Sequence, residues 1–172
     1  QLARLSVFGV ILNQILFLEG LSRTVPSHSA LINTSIPVVT LVAAVLLRHE
    51  AFDRRKLVAV AVALTGVLIL LRIEDFDPTA GTVQGDLMTL ANASSFSVFL
   101  VLSRPVAQRL GARVVTPITF LIGAVVVSAY AMPSLLSMDW ASVPPSVWAI
   151  GVFIVLGPTV GTYALNVWAL RR

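Results

Sequence analysis

The chain has no cysteine, so disulfide frameworks, thiolate metal sites and cysteine nucleophiles are all excluded, and the redox compartment cannot be read this way. Charge is scarce too: 12% of the 172 residues are Asp, Glu, Lys or Arg. No H-E-x-x-H and no G-x-S-x-G occurs, and His28 and His49 both stand at loop boundaries. An enzyme reading therefore has no nucleophile, base or ligand set to rest on, and neither a metal nor a cofactor is expected. The sequence pI near 10.7 would suit a nucleic-acid partner only if the basic residues shared a face. They form short islands between apolar runs instead, so no nucleic acid is expected. No signal peptide is visible at the start.

What is abundant is apolar sequence: 57% of residues are hydrophobic and the mean hydropathy is +0.92, outside the usual mixture for a soluble domain. A hydrocarbon core of about 30 Å needs roughly 20 helical residues. Six runs of that order are present, at Leu5–Leu21, Ala30–Leu47, Leu57–Ile73, Leu87–Ser103, Val114–Met132 and Val147–Leu170. None alternates with a period of two, which disfavours a membrane β-barrel. The expected fold is an all-α polytopic transmembrane helix bundle, with the lipid bilayer as its solvent.

Basic residues orient the runs. Arg4, Arg48, Arg54, Arg55, Lys56, Arg104, Arg109, Arg113, Arg171 and Arg172 fall on one side, and only Arg23 and Arg72 on the other. Short loops rich in Lys and Arg stay cytoplasmic, so the first run is expected to cross from inside to outside. Glu74, Asp75, Asp77, Asp86 and Asp139 then fall outside. The chain opens on Gln1 and closes on Arg171-Arg172, and both ends are read as cuts in a longer protein.

Several features of residues 13–71 are distinctive. One helix ends in Gly20-Leu21 and is followed by a Ser/Ala-rich entry and a mid-helix Pro37. Small and aliphatic residues then close at Glu50, before a basic turn and a helix carrying Gly66 ahead of its aliphatic end. In that order the stretch resembles the EamA family of the drug/metabolite transporter superfamily. The resemblance implies ten spans in two inverted five-helix repeats, of which this chain would hold the third to eighth, truncated at both ends. Residues 1–73 would be the last three helices of the first repeat, 74–86 an external linker, and 87–172 the first three helices of the second. At an offset of 149 residues Leu16, Leu21 and Arg23 match Leu165, Leu170 and Arg172, faint support for the repeat.

Inverted repeats place a site near the midplane, often at broken helices. Pro37 and Pro158 each remove a backbone donor within a run and are candidates for a kink or gate. Polar side chains at membrane depth need partners or a cavity. Thr159, Thr162, Tyr163 and Asn166 share one helix face, Asn33 shares another with Pro37 and Thr40, and Asn92 shares a third with Ser95. Asn13 and Gln14 lie mid-span in the first run. These eight polar residues outside Pro37, Thr40 and Ser95 are the candidate substrate contacts, against the plainer reading of hydrogen bonds between helices. Glu19, the one acid inside a run, is a candidate for proton coupling, against the favoured plainer reading of an i, i+4 ion pair with Arg23 near the external end. Glu50 is read as a capping or ion-paired residue at a helix boundary.

The resemblance implies export of small metabolites, amino acids and related compounds, by alternating access across the inner membrane of a bacterium. The scarcity of buried charge suits a neutral, zwitterionic or amphipathic solute. A non-transporting scaffold or assembly subunit is the alternative, and a homodimer is kept open.

Overall fold

The structure is a computed structural model that describes residues 1–51, 53–70 and 82–157. Among these residues every regular element is helical. Four helices among the described residues are long and apolar enough to cross a membrane: α1 (Leu2–Leu21), α2 (Pro26–Leu46), α4 (Val83–Leu110) and α5 (Ala112–Ser137). They correspond to the first, second, fourth and fifth apolar runs. α3 (Arg54–Leu70) has 17 described residues, and α6 (Pro145–Gly157) is the described part of the sixth run.

Sequence chemistry accounts for the helix ends. α2 starts at Pro26 after an extended Val25, where proline loses no hydrogen bond and its fixed φ suits the first turn. It breaks at Thr34–Ser35 and restarts at Ile36, with Pro37 in the new first turn. The break falls where the missing Pro37 N–H would leave the Asn33 carbonyl without its i+4 donor. α4 is capped by Thr82, whose Oγ1 accepts from Gly85 N at 3.1 Å, and Asp86 in its first turn complements the helix dipole. It ends at Gly111, whose φ of 81° favours glycine.

The expected limits of the fourth run, Leu87–Ser103, are too narrow: the helix extends past both ends and runs through Pro105 to Leu110. Apolarity marks only the membrane-embedded portion of a helix. The polar ends are fixed by the Thr82 cap and the Gly111 turn, which a hydropathy window does not register.

Contacts divide the chain into two compact units, Gln1–Tyr130 and a second beginning at Ala131. In the first, α4 is the central element and packs against α1 and α2. Cross-helix contacts fix directions. Phe8 meets Ser95, Asn13 meets Asn92 and Gly20 lies on Thr89, so α1 and α4 run antiparallel. Ser97 reaches Ile36 and Arg104 reaches Glu50, so α2 and α4 run parallel. Ser6 meets Thr119 and Glu19 meets Tyr130, so α1 and α5 are parallel. Glu50, Lys56 and Arg104 thereby gather at one end, hereafter the basic end, and Glu19, Thr24, His28 and Asp86 at the other.

α1 and α4 approach closely because glycines allow it. A Cβ on Gly20 would lie 2.8 Å from Thr89 Oγ1, and one on Gly85 would lie 2.7 Å from the Arg23 carbonyl carbon. Small residues that admit such approach are how helices associate where lipid removes the hydrophobic drive between them. α1 also widens into a π-turn at Val7–Ile11, and within it the Phe8 carbonyl accepts from Ser95 Oγ at 2.8 Å. In the second unit, Trp140 and Trp148 stack at 5.7 Å and Trp140 Nε1 donates to the Leu135 carbonyl, an aromatic pair of the kind found at membrane interfaces.

Candidate functional site

Polar side chains of α4 that face α1 and α2 are hydrogen-bonded within the bundle. Asn92 is 4% exposed, and its Nδ2 donates to both Asn13 Oδ1 and the Asn13 carbonyl at 2.6 Å. Thr89 Oγ1 donates to the Gly85 carbonyl at 3.0 Å, and Ser97 Oγ to the Ala93 and Ile36 carbonyls at 2.8 and 3.2 Å. Each bond removes the desolvation cost of a polar atom held away from water. Gln14, the neighbour of Asn13, is exposed, and Asn33 is half-buried on α2 next to the break.

A second polar group closes the end opposite the basic one. Glu19 forms an ion pair with Arg23 and accepts from Tyr130 Oη at 2.8 Å, so the i, i+4 pairing expected from sequence is present and α5 joins it. His28 is 2% exposed, with Nδ1 3.0 Å from Asp86 Oδ2. Asp86 also accepts from Thr24 Oγ1 at 2.5 Å, and Thr82 Oγ1 donates to the Arg23 carbonyl at 2.6 Å. Sequence reasoning missed the pairing of His28 and Asp86 by placing the first at a loop boundary and the second in the external linker. The available signal was their place in the first turns of helices, after Pro26 and after Thr82.

The third group surrounds open space. A cavity of about 870 Å³ lies between α2, α3 and α4 toward the basic end. Pro37, Leu41, Ala44, Leu100 and Val101 form apolar wall, and Thr40 contributes a buried hydroxyl that has no hydrogen-bond partner among the described residues. His49, Glu50, Asp53, Lys56, Arg104 and Gln108 contribute polar groups to the same lining. Glu50 Oε2 accepts from Lys56 Nζ at 2.5 Å and Oε1 from Arg104 Nη1 at 2.9 Å. The Lys56 ammonium first, and the Arg104 guanidinium second, hold the Glu50 carboxyl below the usual carboxylate range. Glu50 is positioned by the turn before it: Arg48 adopts φ 57°, and His49 N and Glu50 N both bond back to the Ala44 carbonyl. Such a left-handed residue reverses the chain at a helix end.

Of the sequence-derived candidates, Pro37 lines this cavity, while Asn13 and Asn92 are joined at the α1–α4 seam. Pro158, Thr159, Thr162, Tyr163 and Asn166 lie outside the described residues. Among the described residues, no group of three or more His, Cys, Asp or Glu could hold a metal ion.

A helical membrane bundle with a cavity between three helices belongs to the class of polytopic integral membrane proteins. Its first 72 residues carry the family assignment: the model of the EamA-like transporter family matches residues 1–72, which places this part of the chain in the drug/metabolite transporter superfamily. No curated protein and no solved structure matches the chain.

Proposed function

We propose that the complete protein is a carrier of small metabolites of the amino-acid type, neutral or amphipathic, which it exports by alternating access across the cytoplasmic membrane of a bacterium. The observation that carries this reading is the cavity of about 870 Å³ with an apolar wall and a rim of both charge signs. Small-molecule sites are commonly apolar pockets with a few convergent polar groups, and the balanced charge suits a zwitterion better than a polyanion. With Arg48, Arg54, Arg55 and Lys56 on the cytoplasmic side, as their clustering favours, the cavity would load from the cytoplasm. Pro37, at the break in α2 and on the cavity wall, is then the natural flexing point.

The full-length protein in proteoliposomes, presented with a metabolite panel with and without a pH gradient, tests this. Saturable movement of an amino-acid-like solute is expected, and saturable movement of a phosphorylated sugar instead would contradict it. Loss of pH-gradient dependence in Glu19→Gln, with transport itself retained, would assign proton coupling to that residue.

The paired polar groups of the α1–α4 seam favour a second reading, a scaffold whose polar residues serve only as helix glue. Accessibility labelling at Asn33 and Thr162 discriminates: a water-filled pathway exposes them, and a scaffold does not.

A further inference from the structure

Glu50 is a resident carboxylate bracketed by two cations from two different helices, one oxygen to each. Arg104 and Lys56 are 67% and 48% exposed while Glu50 is 25% exposed, so the acid is the inner member of the group. It sits on the α2–α3 turn, outside both helices, and can withdraw without unwinding either one. Among the described residues the space beside it is open, and apolar side chains of α2 and α4 line it.

We propose that Lys56 and Arg104 form a carboxylate-recognition site at the rim of the cavity, held in this structure by the Glu50 side chain, whose ligand is a small monocarboxylate with an apolar tail. An α-amino acid is one member of that class. The ligand's carboxylate takes the position of the Glu50 carboxylate, and its tail enters between Leu41, Ala44 and Val101. For an amino acid, the released Glu50 and the neighbouring Asp53 offer the ammonium group its counter-charge. The exchange is one of like for like. Two charge-assisted bonds break and two form, so the cations are never left bare. A tethered competitor acts at high effective concentration, so Glu50 weakens ligand binding. A bare phosphate would also suit the two cations, but it makes no use of the apolar wall.

The proposal rests on the transporter reading and is tested on the full-length protein in lipid nanodiscs. Calorimetric titrations with 4-methylpentanoate, its primary amide, leucine and inorganic phosphate provide the comparison. The acid and leucine are expected to bind, with the amide about tenfold weaker, the scale of a lost charge-assisted bond. Lys56→Gln and Arg104→Gln each weaken the acid by about the same factor, and Glu50→Gln tightens it several-fold. The acid–amide pair needs no substitution, so the answer does not depend on how the variants fold. Equal affinity for acid and amide overturns the carboxylate site and leaves the transporter reading standing. So does phosphate binding more tightly than the acid, or Glu50→Gln weakening it. Absence of binding by any of the four, joined to absence of transport of any panel solute, overturns both.

Discussion

The α1–α4 seam and the α2–α3–α4 cavity share α4, yet they treat polar residues in opposite ways. At the seam, Asn13, Asn92, Thr89 and Ser95 are each hydrogen-bonded, and glycines bring the backbones together. At the cavity, Thr40 has a hydroxyl with no partner among the described residues, and Glu50 is held by exposed side chains at a rim. Polarity within a membrane helix therefore does not identify a transport path. The seam residues are held by partners inside the protein, whereas the charged groups of the rim pair at an exposed end of the cavity.

Breaking the seam should cost most. Gly85→Val would drive a side chain onto the Arg23 backbone, which cannot yield as a flexible side chain could, and should destabilise the bundle by about 3 kcal/mol. Gly66→Ala on α3, where an added Cβ would have no described atom within 4 Å, should cost nothing. Unfolding by steric trapping in micelles measures both, and equal losses would erase the distinction between a packed and an open region.

Asn92→Ala strands Asn13 and should cost about 1–2 kcal/mol, with part recovered in the Asn13→Ala, Asn92→Ala double variant. Thr40→Val, by contrast, removes a hydroxyl without a partner and should leave stability within about 0.5 kcal/mol. A Thr40 loss as large as that of Asn92 would mean that the cavity wall is packed like the seam.

At the basic end, Arg48→Gly should stabilise by about 1 kcal/mol, because only glycine takes a positive φ without steric cost. Circular-dichroism melts in detergent would detect the gain. A loss would mean that the Arg48 side chain supports the turn more than its backbone strains it. The smallest effect concerns pH. A carboxyl whose folded pKa is depressed contributes stability above its unfolded value, near 4.5 for Glu50, and loses that contribution only as pH falls through the folded value. The Glu50 bridges should therefore persist unchanged between about pH 8 and pH 6. A spin-label distance between α3 and α4 that opened within this range would show that another group controls the rim.

Much of the fold is legible in the sequence because one constraint dominates: a membrane helix must be long, apolar and internally hydrogen-bonded. That alone locates α1, α2, α4 and α5, and the resemblance in residues 13–71 agrees with the family match over 1–72. Pairing is not legible in the same way. Nothing local indicates that Asn13 faces Asn92, 79 residues away, or that His28 meets Asp86. The Glu19–Arg23 pair could be anticipated because both residues lie on a single helix face. Glu50 was legible as an ion-paired residue, but Arg104, its partner 54 residues away, was not. Local chemistry can be read along a chain, whereas contacts between helices depend on a register that hydropathy does not carry.

Absence of cysteine gives a clean background for the most direct test. Leu100 and Thr89 lie about three turns apart on α4; Leu100 lines the cavity and is 37% exposed, and Thr89 is 0% exposed and lies against Gly20 of α1. In the full-length protein, Leu100→Cys should react with a membrane-impermeant thiol reagent from the basic end, and Thr89→Cys should not. Equal reactivity at the two positions, or protection of Leu100→Cys with labelling of Thr89→Cys, would contradict the division of α4 into a sealed seam and an open cavity.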